Sequence, residues 1–371
     1  MNSPLISLCM IVKNEAENLP RCLESVKNFV DEMVVVDTGS TDNSKAIAQR
    51  YGAKIYDFKW IDDFSAARNY GLEQASGEWI LVLDADEALD EQSRLSLRSI
   101  LIDSKVDAYN CILRNVLSVE PQLVYHDQVF QGWIRIFRNR PQYRFESIYH
   151  ESVFPSLLRQ NALIENSSFI IWHYGLLKEG VQGGEIARRE RAWRYLQKAV
   201  EEDPYNGNLL FYLGNEYYTR GDLENAYQVL KRAALEVGTE LAHPYETKKG
   251  LLVLSEIAFQ RGEYDLAAGC AKGCLAIEGY PDLNPRAWVM LCNSFIHAIQ
   301  KGLEQALAIP HQEQRNRYLA HYLQVIEEFQ PEILNHCQVS SSNVEKHFLE
   351  KSLQHIQRLS TSIDQAMRLN R

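Results

Sequence analysis

Trp79–Glu87 reads WILVLDADE: an apolar run that breaks off into three acidic residues around one alanine. A continuous apolar segment of this length is the mark of a strand buried on both faces. In an open α/β sheet, the place where such a strand ends is the crevice in which ligands bind. Side chains in extended backbone repeat every two residues, so Asp84 and Asp86 project to the same side. Two carboxylates held together repel unless a cation or a donor lies between them. Mg2+ or Mn2+ suits that place, being a hard ion that takes carboxylate oxygens and leaves positions for phosphate. A D-x-D pair alone is a weak signal, since acidic pairs in loops are mostly solvated; its place at a strand end gives it weight.

Working outward, the preceding segments alternate in the same way. Leu5–Val12 (LISLCMIV) is a second buried strand, and Glu15–Phe29 carries Leu19, Cys22, Leu23 and Val26 at helical spacing. Met33–Val36 (MVVV) is a strand ending at Asp37, and the turn Thr38–Asp42 (TGSTD) offers caps for a helix over Lys45–Tyr51. Ala53–Phe58 is a weaker strand and Phe64–Ala75 a helix. Strands alternating with helices predict right-handed βαβ units around a mostly parallel sheet. Asp37 is then a second acidic strand end, able to accept from a base N–H or a ribose hydroxyl while Gly39 permits close backbone approach. An Asx turn or a helix cap would use the same residues. Neither G-x-G-x-x-G nor G-x-x-x-x-G-K-[ST] occurs, which removes the main support for dinucleotide and P-loop sites. From about Asp107 to Tyr174 the segments Tyr109–Val116, Trp133–Phe137, Tyr149–Phe154 and Phe169–His173 read as strands completing the same domain.

After Gly184 the chain turns helical and weakly repetitive. Leu210, Leu213, Gly214, Tyr217, Gly221, Ala226, Leu230 and Ala233 fall at the signature positions of a 34-residue tetratricopeptide unit starting at Gly207. A unit starting at Lys248 places Leu251, Leu254, Ala258, Gly262, Ala267, Ala271 and Cys274 likewise, and Ala192, Leu196, Ala199 and Pro204 match the end of a preceding unit. Beyond Pro285 the repeat blurs, and Gln338–Ser342 (QVSSS) reads as a loop before a last amphipathic helix. The expected organisation is an α/β domain over 1–180 and an all-α, tetratricopeptide-like domain over 185–371.

Composition bounds the function. The 371 residues are 46% hydrophobic and 24% charged, an ordinary globular balance. A net charge of −10 argues against broad nucleic-acid or anionic-membrane binding, which needs clustered Lys and Arg. The 7 cysteines are odd in number and lie in apolar segments, unlike a disulfide framework. No basic segment precedes the first apolar run, and no stretch approaches the ~18 apolar residues of a membrane span. A cytoplasmic protein without a transmembrane segment is expected.

Four stretches in order, Leu8–Glu15 (LCMIVKNE), Val34–Asp42 (VVVDTGSTD), Asp63–Asn69 (DFSAARN) and Gly77–Asp86 (GEWILVLDAD), resemble family 2 glycosyltransferases of the GT-A fold. The nearest branch resembles bacterial lipopolysaccharide-core glucosyltransferases and the enzymes that glycosylate bacteriocin peptides, some of which carry tetratricopeptide repeats after the catalytic domain. The resemblance covers about residues 5–175. It implies a nucleotide-sugar donor, most often a UDP-sugar, and inverting transfer with Mg2+ or Mn2+. By the same resemblance Asn14 and Glu15 approach the nucleotide, Asp37 holds the base or ribose, and Arg68 meets the phosphates. Asp84, with Ala85 beside it, would face the ribose or a metal-bound water, Asp86 would ligate the metal, and His173 in Ile170–Gly175 (IIWHYG) would be its last ligand. Trp133–Arg138 (WIRIFR) and Tyr143–Glu151 (YRFESIYHE) resemble the acceptor side, with His150-Glu151 where the family usually has Glu-Asp. Glu151 is the first choice of base, followed by Glu146 and His150. A peptide, a saccharide or a lipid-linked glycan would serve as acceptor, and the helical repeats could support a homodimer. Two other readings compete: a non-catalytic repeat protein with a degenerate nucleotide-binding domain, and a nucleotidyltransferase.

Overall fold

In the computed structural model, which describes residues 4–119, 123–128, 134–178, 184–238, 244–278, 280–339 and 343–368, the apolar runs become strands and the spaced segments helices. The N-terminal order is β1 (Ile6–Val12), α1 (Leu19–Val26), β2 (Glu32–Asp37), α2 (Ser44–Arg50), β3 (Lys54–Asp57), α3 (Phe64–Gln74) and β4 (Trp79–Val82). There follow β5 (Glu87–Leu89), α4 (Glu91–Ile102), β6 (Ala108–Ser118), β7 (Val124–Gln128), β8 (Ile134–Arg138), α5 (Phe154–Arg159) and β9 (Ile164–His173). All nine strands join one mixed sheet in the order β3-β2-β1-β4-β8-β6-β9-β5, with β7 paired to β6. β3, β2, β1 and β4 run parallel; β8 is antiparallel to β4 and to β6; β6 and β9 are parallel.

The continuous apolar runs have a simple cause: the inner strands are covered on both faces. Along β1, Leu8, Met10 and Val12 enter one core with Leu19, Cys22 and Leu23 of α1. Cys9 points the other way, into a core with Val34, Ile80, Leu72, Phe137 and Tyr143. At the opposite end of the strands from Asp84, buried Glu32 accepts from Ser7 Oγ at 2.5 Å, Lys54 Nζ at 2.6 Å and Ser76 N at 2.8 Å. Gly77 N donates to that same Ser7 Oγ, and a Cβ on Gly77 would sit 2.7 Å from Ser7 N, so glycine alone fits there.

Several segments depart from expectation, among them β7, which no expected strand covers. Tyr149–Phe154 is not a strand: Ser147 and His150 have φ of 77° and 53°, a single bridge joins Glu146 to Ser152, and α5 starts at Phe154 with Pro155 in its first turn. Left-handed residues turn a chain rather than extend it, and proline cannot donate to a ladder. β5 and α4 were not expected, although Asp90 caps α4 by accepting from Gln92 N and Ser93 N. The expected strand start at Trp133 and part of Gln338–Ser342 lie outside the described residues; Gln338 and Val339 end a helix.

By backbone contacts the chain divides into two units, Met1–Leu213 with Val237–Tyr245, and Gly214–Glu236 with Glu246–Arg371. The first therefore includes α6 (Gly184–Glu202) and the start of α7 (Gly207–Thr219). The second holds the rest of α7, then α8 (Leu223–Arg232), α9 (Pro244–Gln260) from Glu246 on, α10 (Tyr264–Ala276), α11 (Asn284–Leu307), α12 (Gln312–Val339) and α13 (Asn343–Arg368). The repeat is tetratricopeptide-like. Gly221 and Gly262, equivalent in the two repeats that start at Gly207 and Lys248, both adopt positive φ in the turns α7–α8 and α9–α10. Ala226 and Ala267, again equivalent, are fully buried. The 7 cysteines are buried free thiols, and among the described residues no helix is long and apolar enough to cross a membrane.

Candidate active site

The carboxyl ends of β1, β2 and β4 carry Lys13–Glu15, Asp37–Thr38 and Leu83–Asp86, and a cavity of about 530 Å³ lies over them. Its lining includes Glu15, Thr38, Arg68, Asp84, Ala85, Asp86, Glu151 and His173, residues spread over most of the domain. Arg68, on α3 and 8% exposed, is the joint of the site. Its Nη2 donates to Asp84 Oδ1 at 2.8 Å and its Nε to Glu151 Oε1 at 2.6 Å, while Nη1 is buried without a partner among the described residues. Arg135 of β8 donates from Nη2 to Asp84 Oδ2 at 3.1 Å and to Glu87 Oε1 at 2.6 Å. Glu87 Oε2 in turn accepts from Asp84 N at 2.9 Å. Burial works to raise the Asp84 carboxyl, but the guanidinium groups on both its oxygens outweigh it and hold it well below the usual carboxylate range. Glu87, fully buried, is pushed by burial up to about 7 against the pull of Arg135.

Asp86 has a different neighbour. His173, at the end of β9, brings Nε2 to 3.6 Å from Asp86 Oδ2, and its Nδ1 lies 2.7 Å from Asn115 Oδ1. A carbonyl oxygen accepts only, so Nδ1 donates to Asn115 and the ring is turned with Nε2 toward Asp86. Burial lowers the imidazole, but Asp86, Glu87 and Asp84 outweigh it, so His173 titrates above the ordinary histidine value. Beside the pair stands Gly175, where a Cβ would lie 2.5 Å from His173 Nε2 and 2.7 Å from Asp86 Oδ2. Glycine thus keeps open the space that the two donors share. One carboxylate and one imidazole oriented from behind by an amide suit a divalent ion that keeps its remaining positions for water or phosphate. Among the described residues no group of three or more His, Cys, Asp and Glu side chains is arranged to hold a metal. Asp84 is engaged by its two arginines.

Asp37, 1% exposed, accepts at Oδ1 from Gly39 N at 3.0 Å and Ser40 N at 2.8 Å, whereas Oδ2 is buried without a partner among the described residues. Asn14, at φ 57°, accepts from Thr41 N at 2.7 Å and so ties the end of β1 to the loop after β2. Glu15 N donates to Ser44 Oγ at 2.8 Å, and Glu15 Oε2 accepts from Asn18 Nδ2.

The three candidate bases are not equivalent. Glu151 lines the 530 Å³ cavity and also a second one of about 210 Å³ that includes Arg68, Asp84, Arg135 and His150. Of these two cavities His150 borders the second, its ring stacked on Tyr212 at 3.6 Å between centroids and 6° between planes. Glu146 pairs with Arg159 and lines neither of these cavities.

The family model for Glycosyl transferase family 2 matches residues 7–178, and a TPR repeat-containing protein of Synechococcus elongatus is 38% identical over 307 residues, covering 80% of this chain and 72% of that protein. The chain belongs to glycosyl transferase family 2. The SPbeta prophage-derived glycosyltransferase SunS of Bacillus subtilis is 25% identical over 236 residues, covering 62% of this chain and 54% of SunS. Among solved structures, S. aureus TarS 1–349 in complex with UDP-GlcNAc is 14% identical, with a TM-score of 0.40, covering 98% of this chain and 92% of that one.

In this glycosyltransferase several residues of the site escaped the sequence. Arg135 left a trace, a basic residue inside the apolar run IRIF, where only a partnered charge is tolerable. Asn115 left none, because it faces His173 only through the pairing of β6 with β9. Trp60, Tyr149, Arg191 and Tyr195 also line the larger cavity, the last two from α6, beyond the residues that the family model matches.

Proposed function

We propose that the protein transfers a sugar, with inversion, from a UDP-sugar to an acceptor hydroxyl or thiol, and that a divalent ion assists. One arrangement carries the reading: Arg68 joins Asp84 to Glu151, all three line both cavities, and Asp86 and His173 line only one of them. Donor and acceptor of an in-line displacement must approach one carbon from opposite faces, and two cavities that meet at Glu151 would give them adjoining places.

The unpartnered Oδ2 of Asp37 accepts from a base N–H or a ribose hydroxyl. Arg68, through Nη1, donates to a phosphate oxygen. Asp86 and His173 would hold Mg2+ or Mn2+, which when bound acts as a Lewis acid toward charge developing on the diphosphate. Glu151 keeps Oε1 on Arg68 and takes the acceptor proton on Oε2. The acceptor atom bonds to the anomeric carbon as the bond to the diphosphate oxygen breaks, and no covalent enzyme intermediate forms. A reducing cytoplasm suits both a nucleotide-sugar supply and the buried free thiols.

The test is UDP release from UDP-sugars with Mn2+, with Mg2+ and with chelator. Asp86→Ala is expected to lower kcat about 100-fold, and Asp37→Ala to raise the donor KM about tenfold with a smaller change in kcat. Full activity of the Asp86→Ala protein in chelator would remove the metal from the reading.

A further inference from the structure

Glu151 follows a turn in which two residues other than glycine, Ser147 and His150, hold φ of 77° and 53°. L-residues leave that region unless their surroundings hold them there. Hydrogen bonds anchor the flanks of the turn. Phe64 N donates to Ile148 O at 3.0 Å, Ser65 Oγ to Ser147 O at 2.6 Å, and Ser152 N to Glu146 O at 3.2 Å. Between these flanks, two rings from the helical part of the chain meet two consecutive side chains. Tyr195 of α6 stacks on Tyr149 at 5.8 Å and 28°, and Tyr212 of α7 stacks on His150 at 3.6 Å and 6°.

We infer that Tyr212 is a positioning residue for the transfer: by clamping the His150 ring it holds the turn, and the turn sets where the Glu151 carboxylate points. This builds on the proposed role of Glu151 and brings the first helical repeat into the catalytic apparatus, beyond the residues that the family model matches. Glu151 has to be held at both ends. Arg68 Nε fixes Oε1 at 2.6 Å, but one hydrogen bond leaves a carboxylate free to pivot about it. Oε2 has a defined direction only if the backbone end is fixed too, and His150 is the residue that adjoins it. A base must lie within hydrogen-bond reach of the proton it takes, and a misplacement of about 1 Å can cost about 100-fold in rate.

The repeat itself does not call for Tyr212. In the unit that starts at Gly207, Leu210 and Leu213 occupy signature positions and are buried, whereas Tyr212 stands at a position the pattern leaves open. It is half-buried, and its helix face is turned to the site: Asn208, one turn earlier, and Tyr212 both line the 210 Å³ cavity with Glu151. Arg68, Glu151, Tyr195 and Tyr212 all belong to the first compact unit.

The full-length protein tests this with Tyr212→Leu, Tyr212→Phe, Glu151→Ala and the double variant of Tyr212→Leu with Glu151→Ala. Peptide-resolved hydrogen exchange, which needs no turnover, is expected to run about tenfold faster across 147–152 in Tyr212→Leu, with β1 unchanged as internal reference. Tyr212→Phe keeps a ring to stack on and should exchange as the parent does. UDP release from UDP-glucose and UDP-GlcNAc, with Mn2+ and water as acceptor, gives the kinetic side. Tyr212→Leu should lower kcat about 30- to 100-fold with donor KM within about twofold, and Tyr212→Phe should lower kcat less than about threefold. Added to Glu151→Ala, Tyr212→Leu should lower kcat no further, since no base is left to place. Unchanged exchange across the turn, faster exchange in β1 as well, a Tyr212→Phe protein as slow as Tyr212→Leu, or an equal loss with and without Glu151 would each overturn it. Parental kcat in Glu151→Ala would instead overturn the base, a failure visible with Tyr212 intact.

Discussion

Arg68 illustrates how much one side chain can organise. It reaches Asp84 at the end of β4 and Glu151 past the 147–150 turn, and nothing else described holds those two together. Removing one partner of a buried charge network leaves the others uncompensated, at a cost of about 3–5 kcal/mol. Arg68→Ala is expected to lose about that much in urea denaturation, and Arg68→Lys to fall between, because an ammonium is a point charge and cannot span two carboxylates as a planar fork does. Glu32 makes the comparable case for stability alone. Burial works against its ionisation, yet Lys54, Ser7 and Ser76 hold the carboxyl down at about 2, from an ordinary 4.5. A depressed carboxyl contributes stability above its unfolded value and loses it as pH falls toward the folded one. Glu32→Gln should therefore cost ~3 kcal/mol at pH 7 and progressively less from about pH 4.5 down to 2. Denaturant midpoints at pH 7, 4 and 3 check this: a gap between the proteins that stays constant would refute it. At this scale the acidic strand ends were marked by residue type and position, whereas Arg68 was marked only by the family resemblance, since by itself it reads as a solvated helix arginine. Asn115 was unreadable because its partner is chosen by a strand register, not by anything local.

Elements were legible where burial imposes a period and hidden where backbone geometry decides. β1, β2 and β4 are buried on both faces, so their runs are unbroken, and α1 buries Leu19, Cys22, Leu23 and Val26 at the spacing read from the sequence. Tyr149–Phe154 misled because alternating bulky residues look like a strand, while Ser147 and His150 adopt positive φ that no composition predicts. Pro155 was the available warning. β5 is three residues long, too short to show any period. In the repeats the small residues were informative for a mechanical reason. A Cβ at Gly214 would run into Leu230, so Gly214→Ala forces α7 and α8 apart, which overpacking data put at about 1–3 kcal/mol. Gly221→Ala meets nothing within 4 Å but must hold φ at +81°, a strain of about 1 kcal/mol. Thermal unfolding followed by circular dichroism should thus show the larger loss for Gly214→Ala; the reverse order would mean that turn strain, not helix approach, sets the repeat.

At the scale of the whole chain, the family match and the functional structure have different limits. The family model stops at residue 178, yet α6 begins at Gly184 and supplies Arg191 and Tyr195 to the 530 Å³ cavity. Tyr195 is tied in twice. Its hydroxyl donates to Asp62 Oδ1 at 3.0 Å and accepts from Trp60 Nε1 at 3.3 Å, while its ring lies 5.8 Å from Phe64 and 5.8 Å from Tyr149 between centroids. The periodicity that revealed a helical repeat could not reveal this, because Tyr195 falls on a helix whose partner, the Trp60–Phe64 corner, lies 135 residues earlier for the Trp60 contact. If α6 is part of the donor site, the two kinds of tie should separate. Tyr195→Phe keeps the ring and loses one shared hydroxyl, about 1 kcal/mol, with little change in UDP affinity. Tyr195→Ala opens the aromatic corner, at about 2–3 kcal/mol, and should weaken UDP binding about tenfold in a fluorescence titration that reports on Trp60. Equal UDP affinity in both variants would confine α6 to a structural role and return the edge of the donor site to where the family match ends.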